Sequence, residues 1–177
     1  MIYIPVSGAT LQGFYPMRPL AGDLKTFMDA LGPGNTPCCV QVSHALNMAG
    51  QKIPQTYDYA RQRGRGPSPI QVNGISNFYL LAVDELEVWL TQKYGAGVNV
   101  RALAGLTKTP SSDPTQRRKD MDQMKAYLSG DKGILLFRSA GAGLHTEIWD
   151  GNQILQRDMD ETNLFSQARV LMWYCVS

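Results

Sequence analysis

A cysteine that opens a helix and a histidine that opens a strand are the residues of this chain best placed to do covalent chemistry. The cysteine is Cys38, in Thr36-Pro37-Cys38-Cys39-Val40-Gln41-Val42-Ser43-His44-Ala45-Leu46-Asn47. The histidine is His145, in Gly141-Ala142-Gly143-Leu144-His145-Thr146-Glu147-Ile148-Trp149-Asp150-Gly151. A thiol at a helix N-terminus meets unpaired N–H groups and the positive end of the dipole, which favour its thiolate. An adjacent imidazole lowers the thiol pKa further and later protonates a leaving amine. Two other groups compete for these roles. His44 lies on the same helix, rotated by about 240° from Cys38, and cannot reach back to the sulfur. Cys39 is rotated by about 100° and is expected to point away from Cys38. A buried, inert Cys38 that merely fills space is the competing reading, because unreactive cysteines are common in cores.

A third group usually orients the base. If Asp150 to Gln153 form a four-residue turn, Trp149 faces Ile154 and, counting back, His145 faces Asp158. Directly opposed residues of an antiparallel pair have Cβ atoms about 4.5–5.5 Å apart. Asp158 is therefore the expected third member, with Asp160 next. A two-residue turn at Asp150-Gly151 would bring Gln156 there instead. Glu147 shares the strand parity of His145 but lies about 7 Å along the strand.

The elements that must hold these residues can be read from periodicity. Asp23 to Leu31 reads as a helix with Leu24, Phe27, Met28 and Leu31 on one stripe. In the next helix Thr36 is the expected N-cap, Pro37 the first helical residue and Gly50 the left-handed stop, with Val42, Ala45, Leu46 and Ala49 facing inward. Residues 51–76, rich in Pro, Gly, Gln and Arg, read as a long surface excursion. Asp84 is expected to cap a helix through Tyr94, Val98 to Leu103 to form a strand, and Pro114 to open a helix carrying Met121, Met124 and Leu128. Gly133 to Phe137 is a continuous apolar run suited to a central strand. Leu144 to Trp149 alternates, Ile154 to Asp158 is the expected returning strand, and Val170 to Val176 is another. Helices first and an antiparallel sheet late make an α+β fold.

Bulk properties bound the function. A chain of 177 residues is expected to be one domain, 1–177. A net charge of +2 is too mild for a nucleic-acid protein, and the one basic cluster, Arg61-Gln62-Arg63-Gly64-Arg65-Gly66, reads as a solvated loop. No apolar run is long enough to span a membrane, and the N-terminal residues lack a charged leader with an apolar core, so a Sec-type signal peptide is expected to be absent. Two histidines and no Cys-x-x-Cys pair leave no zinc spacing, so neither metal nor cofactor is expected. Of the three cysteines, Cys39 and Cys175 could form a disulfide in an oxidising compartment, or all three could stay reduced.

Cys38-Cys39-Val40-Gln41-Val42-Ser43, followed by Leu46-Asn47 and Gly50, resembles the Cys-x-[Ile/Val]-Arg-[Met/Leu]-Ser helix start of the fourth family of type VI secretion amidase effectors. Gln41 stands where that family has Arg. Leu144-His145-Thr146-Glu147-Ile148-Trp149-Asp150-Gly151 is similar to its Gly-His-x-x-Leu-Trp-Asn-Gly block, with Leu144 in place of the first Gly. The family has an Asp across the following hairpin, and this chain has two more residues there, which carries that role to Asp158. The segment from Asn77-Phe78-Tyr79 through Val83 to Leu90 is also similar, so the resemblance runs from about Gly34 to the C-terminus.

The resemblance implies a papain-like, NlpC/P60-related α+β fold with Cys38, His145 and Asp158 as the catalytic triad. It implies a cysteine amidase that cuts the amide between D-glutamate and meso-diaminopimelate in peptidoglycan stem peptides. It further implies export by the type VI machinery into the periplasm of a rival bacterium, and a periplasmic immunity protein that blocks the cleft. Two other readings stand beside it: a cysteine protease or deamidase acting on a protein, and a catalytically silent binding module on the same fold.

Overall fold

The computed structural model describes residues 3–58, 67–107 and 109–177, so the Arg61–Gly66 cluster lies outside the described residues. Along the chain come α1 (Gly8–Gly13), α2 (Gly22–Leu31), α3 (Cys38–Met48), β1 (Ser68–Val72), β2 (Ile75–Tyr79), α4 (Val83–Tyr94), β3 (Val98–Asn99) and α5 (Val100–Leu103). Then follow α6 (Pro114–Leu128), β4 (Gly133–Arg138), β5 (Gly143–Trp149), α7 (Glu161–Gln167) and β6 (Val170–Cys175). β1 and β2 form an antiparallel hairpin, and the other strands form an antiparallel sheet in the order β3-β6-β4-β5. The fold is α+β, as its helix-first, sheet-last order predicts.

Both faces of the sheet are covered, which explains the unbroken apolar run of β4. On one face Ile134, Leu136 and Ile148 meet Val42, Ala45 and Leu46 of α3 and Leu86 and Leu90 of α4. On the other, Leu135, Phe137 and Trp149 meet Met124 and Leu128 of α6, Phe165 of α7 and Trp173 of β6. Each such side chain contributes about 1.5–3 kcal/mol when fully buried. Cys39 belongs to the first cluster and Cys175 to the second, and both are free thiols.

Several local expectations hold. Gly50 adopts φ +85°, and the bonds Gly50 N–H to Asn47 O and Gln51 N–H to Leu46 O close α3 with a Schellman motif. Asp113 caps α6 through Thr115 N, with Pro114 opening the helix.

Others are corrected. Val98–Leu103 is a strand for two residues only, because the Asn99 side chain accepts from Ala102 N and starts the short helix α5. The excursion at 51–76 holds β1 and the start of β2, a hairpin that runs on to Tyr79 and is turned by Asn73 (φ +49°) and Gly74 (φ +79°). Asn-Gly is the strongest short hairpin signal, and it stood in the sequence. The turn Asp150–Gln153 forms as expected, with Asp150 N–H bonded to Gln153 O and Trp149 bridged to Ile154. The returning strand does not continue. After Leu155 N–H bonds Ile148 O the chain leaves β5 for α7.

Candidate active site

Cys38 occupies the first turn of α3. The helix begins one residue later than the sequence suggests, with Pro37 at the cap position and its carbonyl accepting from Gln41 N at 2.8 Å. Thr36 is thereby released from capping, and its Oγ1 lies 3.6 Å from Cys38 Sγ. Cys38 is buried, yet it lines a cavity of about 270 Å³ with Thr36, Cys39, Leu81, Ala82, Val83, Asp84, Ala142, Gly143 and Leu144.

His145 is delivered to this sulfur by an irregular strand start. Phe137 pairs with His145 but Arg138 pairs with Gly143, so Leu144 is an extra residue, a bulge that re-aims the histidine. Asp84, expected to cap α4, instead accepts from Gly143 N at 3.1 Å and from Arg138 Nη2 at 3.1 Å, which ties the strand start to that helix. Arg138 also pairs with Glu87. A Cβ on Gly143 would fall 2.3 Å from Val83 Cβ, so only glycine permits this approach. His44 is elsewhere: its Nδ1 bonds the Tyr79 hydroxyl at 2.9 Å, and burial pulls its pKa down.

The electrostatics favour an ion pair. Cys38 is held well below the ordinary thiol range by the Cys39 thiol donating toward its sulfur, by the imidazole of His145 and by Thr36, against the upward push of burial. Cys39 is pushed well above its ordinary value by the same contact and by burial, so it stays a thiol and a donor. Sequence reasoning expected Cys39 to point away. The two neighbouring thiols nevertheless act on each other, with the proton staying on Cys39. Burial lowers the pKa of His145, but the sulfur of Cys38 and the carboxylate of Glu147 outweigh it and hold the imidazole at about 9. Both shifts favour the thiolate–imidazolium form of the pair.

The structure brings Cys38 and His145 together and leaves Asp158 out. The Asp158 side chain is 62% exposed, takes an ion pair from Arg18 Nη2 at 3.2 Å and accepts from Gln156 Nε2 at 2.8 Å. Asp160 is the cap of α7, accepting from Asn163 N. The carboxylate at the imidazole is Glu147, with Oε2 3.5 Å from His145 Nε2. The opposed pairing that would have placed Asp158 there ends after Leu155. The free edge of β5 is instead met by the Glu147 side chain, whose Oε1 accepts from Ile148 N at 2.9 Å. Among the described residues no group of three or more His, Cys, Asp or Glu is arranged to hold a metal ion.

Residues 35–173 match the sequence model of a family described as type VI secretion system amidase effector protein 4, Tae4. The chain belongs to the Tae4 family. It is a peptidoglycan amidase effector of the type VI secretion system. Among solved structures it is similar to Tae4 from Enterobacter cloacae, with a TM-score of 0.63 and 14% identity over all of both chains. It is also similar to the Tae4 of the E. cloacae Tae4–Tai4 effector–immunity complex, with a TM-score of 0.61 and 15% identity over 98% of this chain and 100% of that one. Tae4 of the Salmonella typhimurium effector–immunity system Tae4/Tai4 has a TM-score of 0.62 and 15% identity over the same shares. At these identities the Tae4 structures establish a shared papain-like fold. No curated protein sequence matches the chain.

Proposed function

We propose that this Tae4-family chain hydrolyses the D-glutamyl–meso-diaminopimelate amide of peptidoglycan stem peptides, with Cys38 as nucleophile and His145 as base and acid. The observation that carries the reading is the Cys38 thiol at the start of α3, engaged by the His145 imidazole at the wall of an open cavity. Cys38 Sγ adds to the amide carbonyl carbon, and the backbone N–H of Cys38 helps stabilise the oxyanion. The C–N bond breaks as the imidazolium gives its proton to the leaving amine, leaving a thioester. Water then loses a proton to His145 and attacks the thioester. This releases the carboxylate product and restores the pair.

The working unit is one catalytic domain over residues 1–177. It acts in the periplasm of the target cell, reached through the type VI machinery, and meets a periplasmic immunity protein there. Related Tae4 proteins solved as complexes with Tai4 support that partner. Purified sacculi incubated with the protein should yield muropeptides cut between D-glutamate and diaminopimelate, while Cys38→Ala yields none. An unchanged muropeptide profile with the wild-type protein overturns the substrate assignment.

A further inference from the structure

We propose that Glu147, braced by the phenol of Tyr15, is the carboxylate that positions His145, and that the hairpin residue Asp158 takes no part. The inference rests on the Cys38–His145 reading above and deepens it.

Glu147 stands two residues after His145 on β5, so both side chains leave the same side of the strand. It is fully buried, an expensive place for a carboxylate without donors. One donor is fixed: Ile148 N–H, on Oε1. The other oxygen, Oε2, faces His145 Nε2 at 3.5 Å, which leaves the Nδ1 side of the ring for Cys38.

The phenol of Tyr15 faces the same carboxylate from the segment after α1. Tyr15 Oη, Glu147 Oε2 and His145 Nε2 are each buried without a hydrogen bond at full geometry among the described residues. Buried polar atoms almost always find partners, and catalytic hydrogen bonds are often long in a free enzyme and tighten with substrate. Glu147 Oε2 lies 3.5 Å from His145 Nε2 and the carboxylate interacts with the Tyr15 phenol, so the three groups serve as each other's partners. Burial, followed by the negative charges of Glu147 and Cys38, pushes the Tyr15 phenol far above its usual range, so it remains a donor.

The Tyr15 segment is held in place from both sides. Gln41 Nε2, on α3, donates to Pro16 O at 2.7 Å, and Arg18 N donates to Gln156 Oε1 at 2.9 Å. Gln41 Nε2 also reaches Gln156 Oε1 at 3.2 Å. Gln156, the residue a shorter turn would have set opposite His145, is thereby committed to bracing this segment. The charged and titratable groups around the triangle are Cys38 and Cys39 of α3, Glu147 of β5, and Tyr15 and Arg18 of the N-terminal segment.

The test compares Glu147→Gln, Glu147→Asp, Tyr15→Phe and Asp158→Asn with the wild type, by NMR titration of the imidazoles and by kcat on a stem peptide. The chain has two histidines, so the His145 signal is separable from that of His44. The wild-type His145 is expected to titrate at about 9. Glu147→Gln is expected to lower it by at least about one unit and kcat by roughly 10²-fold. Glu147→Asp recovers part of both, and Tyr15→Phe moves both in the same direction by less. Asp158→Asn moves neither.

A His145 titration unchanged in both Glu147→Gln and Tyr15→Phe, or shifted by Asp158→Asn, overturns the proposal. Should Glu147→Gln fail to fold, Tyr15→Phe alone decides. The titration needs no cell-wall substrate. A stem peptide left uncut by the wild type would therefore count against the substrate, and the titration would still decide the positioning role.

Discussion

Strand β5 and the segment that follows its turn each offer carboxylates to the same histidine, and they differ in what surrounds those carboxylates. On β5, Glu147 is fully buried, fixed by its neighbour's amide and directed at the imidazole. In the return segment, Asp158 is largely exposed and neutralised by Arg18, while Asp160 caps a helix. Water screens the exposed charge, and the cap position spends the other on backbone amides. Burial of the partner, more than facing position in a hairpin diagram, decides which carboxylate can act on the ring.

Substitutions on the two sides should therefore have very different consequences. The largest effect belongs to His145→Ala, which should lower stem-peptide hydrolysis by about 10³-fold or more in a steady-state assay. Trp149→Ala tests the strand itself. The indole is fully buried and donates to Leu128 O at 3.0 Å, so its loss should cost about 3–5 kcal/mol in a denaturant titration.

The pH profile comes next. His145 has a raised value, so its proton is present through neutral pH and lost as pH rises through about 9. Cys38 is held well below the ordinary thiol range, chiefly by the Cys39 thiol and the His145 imidazole, which favours its thiolate. Hydrolysis should hold level across neutral pH and fall by about tenfold per unit above 9, as expected for loss of one proton.

The return segment should respond weakly. Asp160→Ala removes a helix cap and should cost about 1 kcal/mol of stability with little change in kcat. Asp158→Asn should stay within about 0.5 kcal/mol in stability, as for other exposed ion pairs. A large activity loss in Asp158→Asn would erase the contrast between the two segments.

Much of this was legible before the fold was known. The Cys38 helix start, the elimination of His44 by rotation and the four-residue turn all depend on local geometry, and local geometry is written in short stretches of sequence. The third carboxylate was not legible in the same way. Its choice turns on what covers the free edge of β5. Glu147 itself meets that edge at Ile148 N, and the return segment is drawn away to the N-terminal segment, where Arg18 N donates to Gln156 Oε1 across 138 positions. Counting along a hairpin cannot see that the ladder stops after two residues. The Cys38–Cys39 interaction was missed because a rotation of about 100° separates two bond directions while leaving consecutive residues close enough to influence one another. The β1–β2 hairpin was legible through Asn73-Gly74 but was absorbed into a Pro- and Gly-rich stretch.

The central claim is that Cys38 is kept as a thiolate by the Cys39 thiol together with the His145 imidazole, which carries the proton. The most direct measurement is the rate of iodoacetamide labelling at pH 6, resolved by peptide mass spectrometry among Cys38, Cys39 and Cys175. Cys38 should label at least about tenfold faster than an ordinary free thiol, with Cys39 and Cys175 slower, and His145→Ala should remove that advantage. Labelling of Cys38 no faster than a free thiol, or unchanged by His145→Ala, would contradict the account.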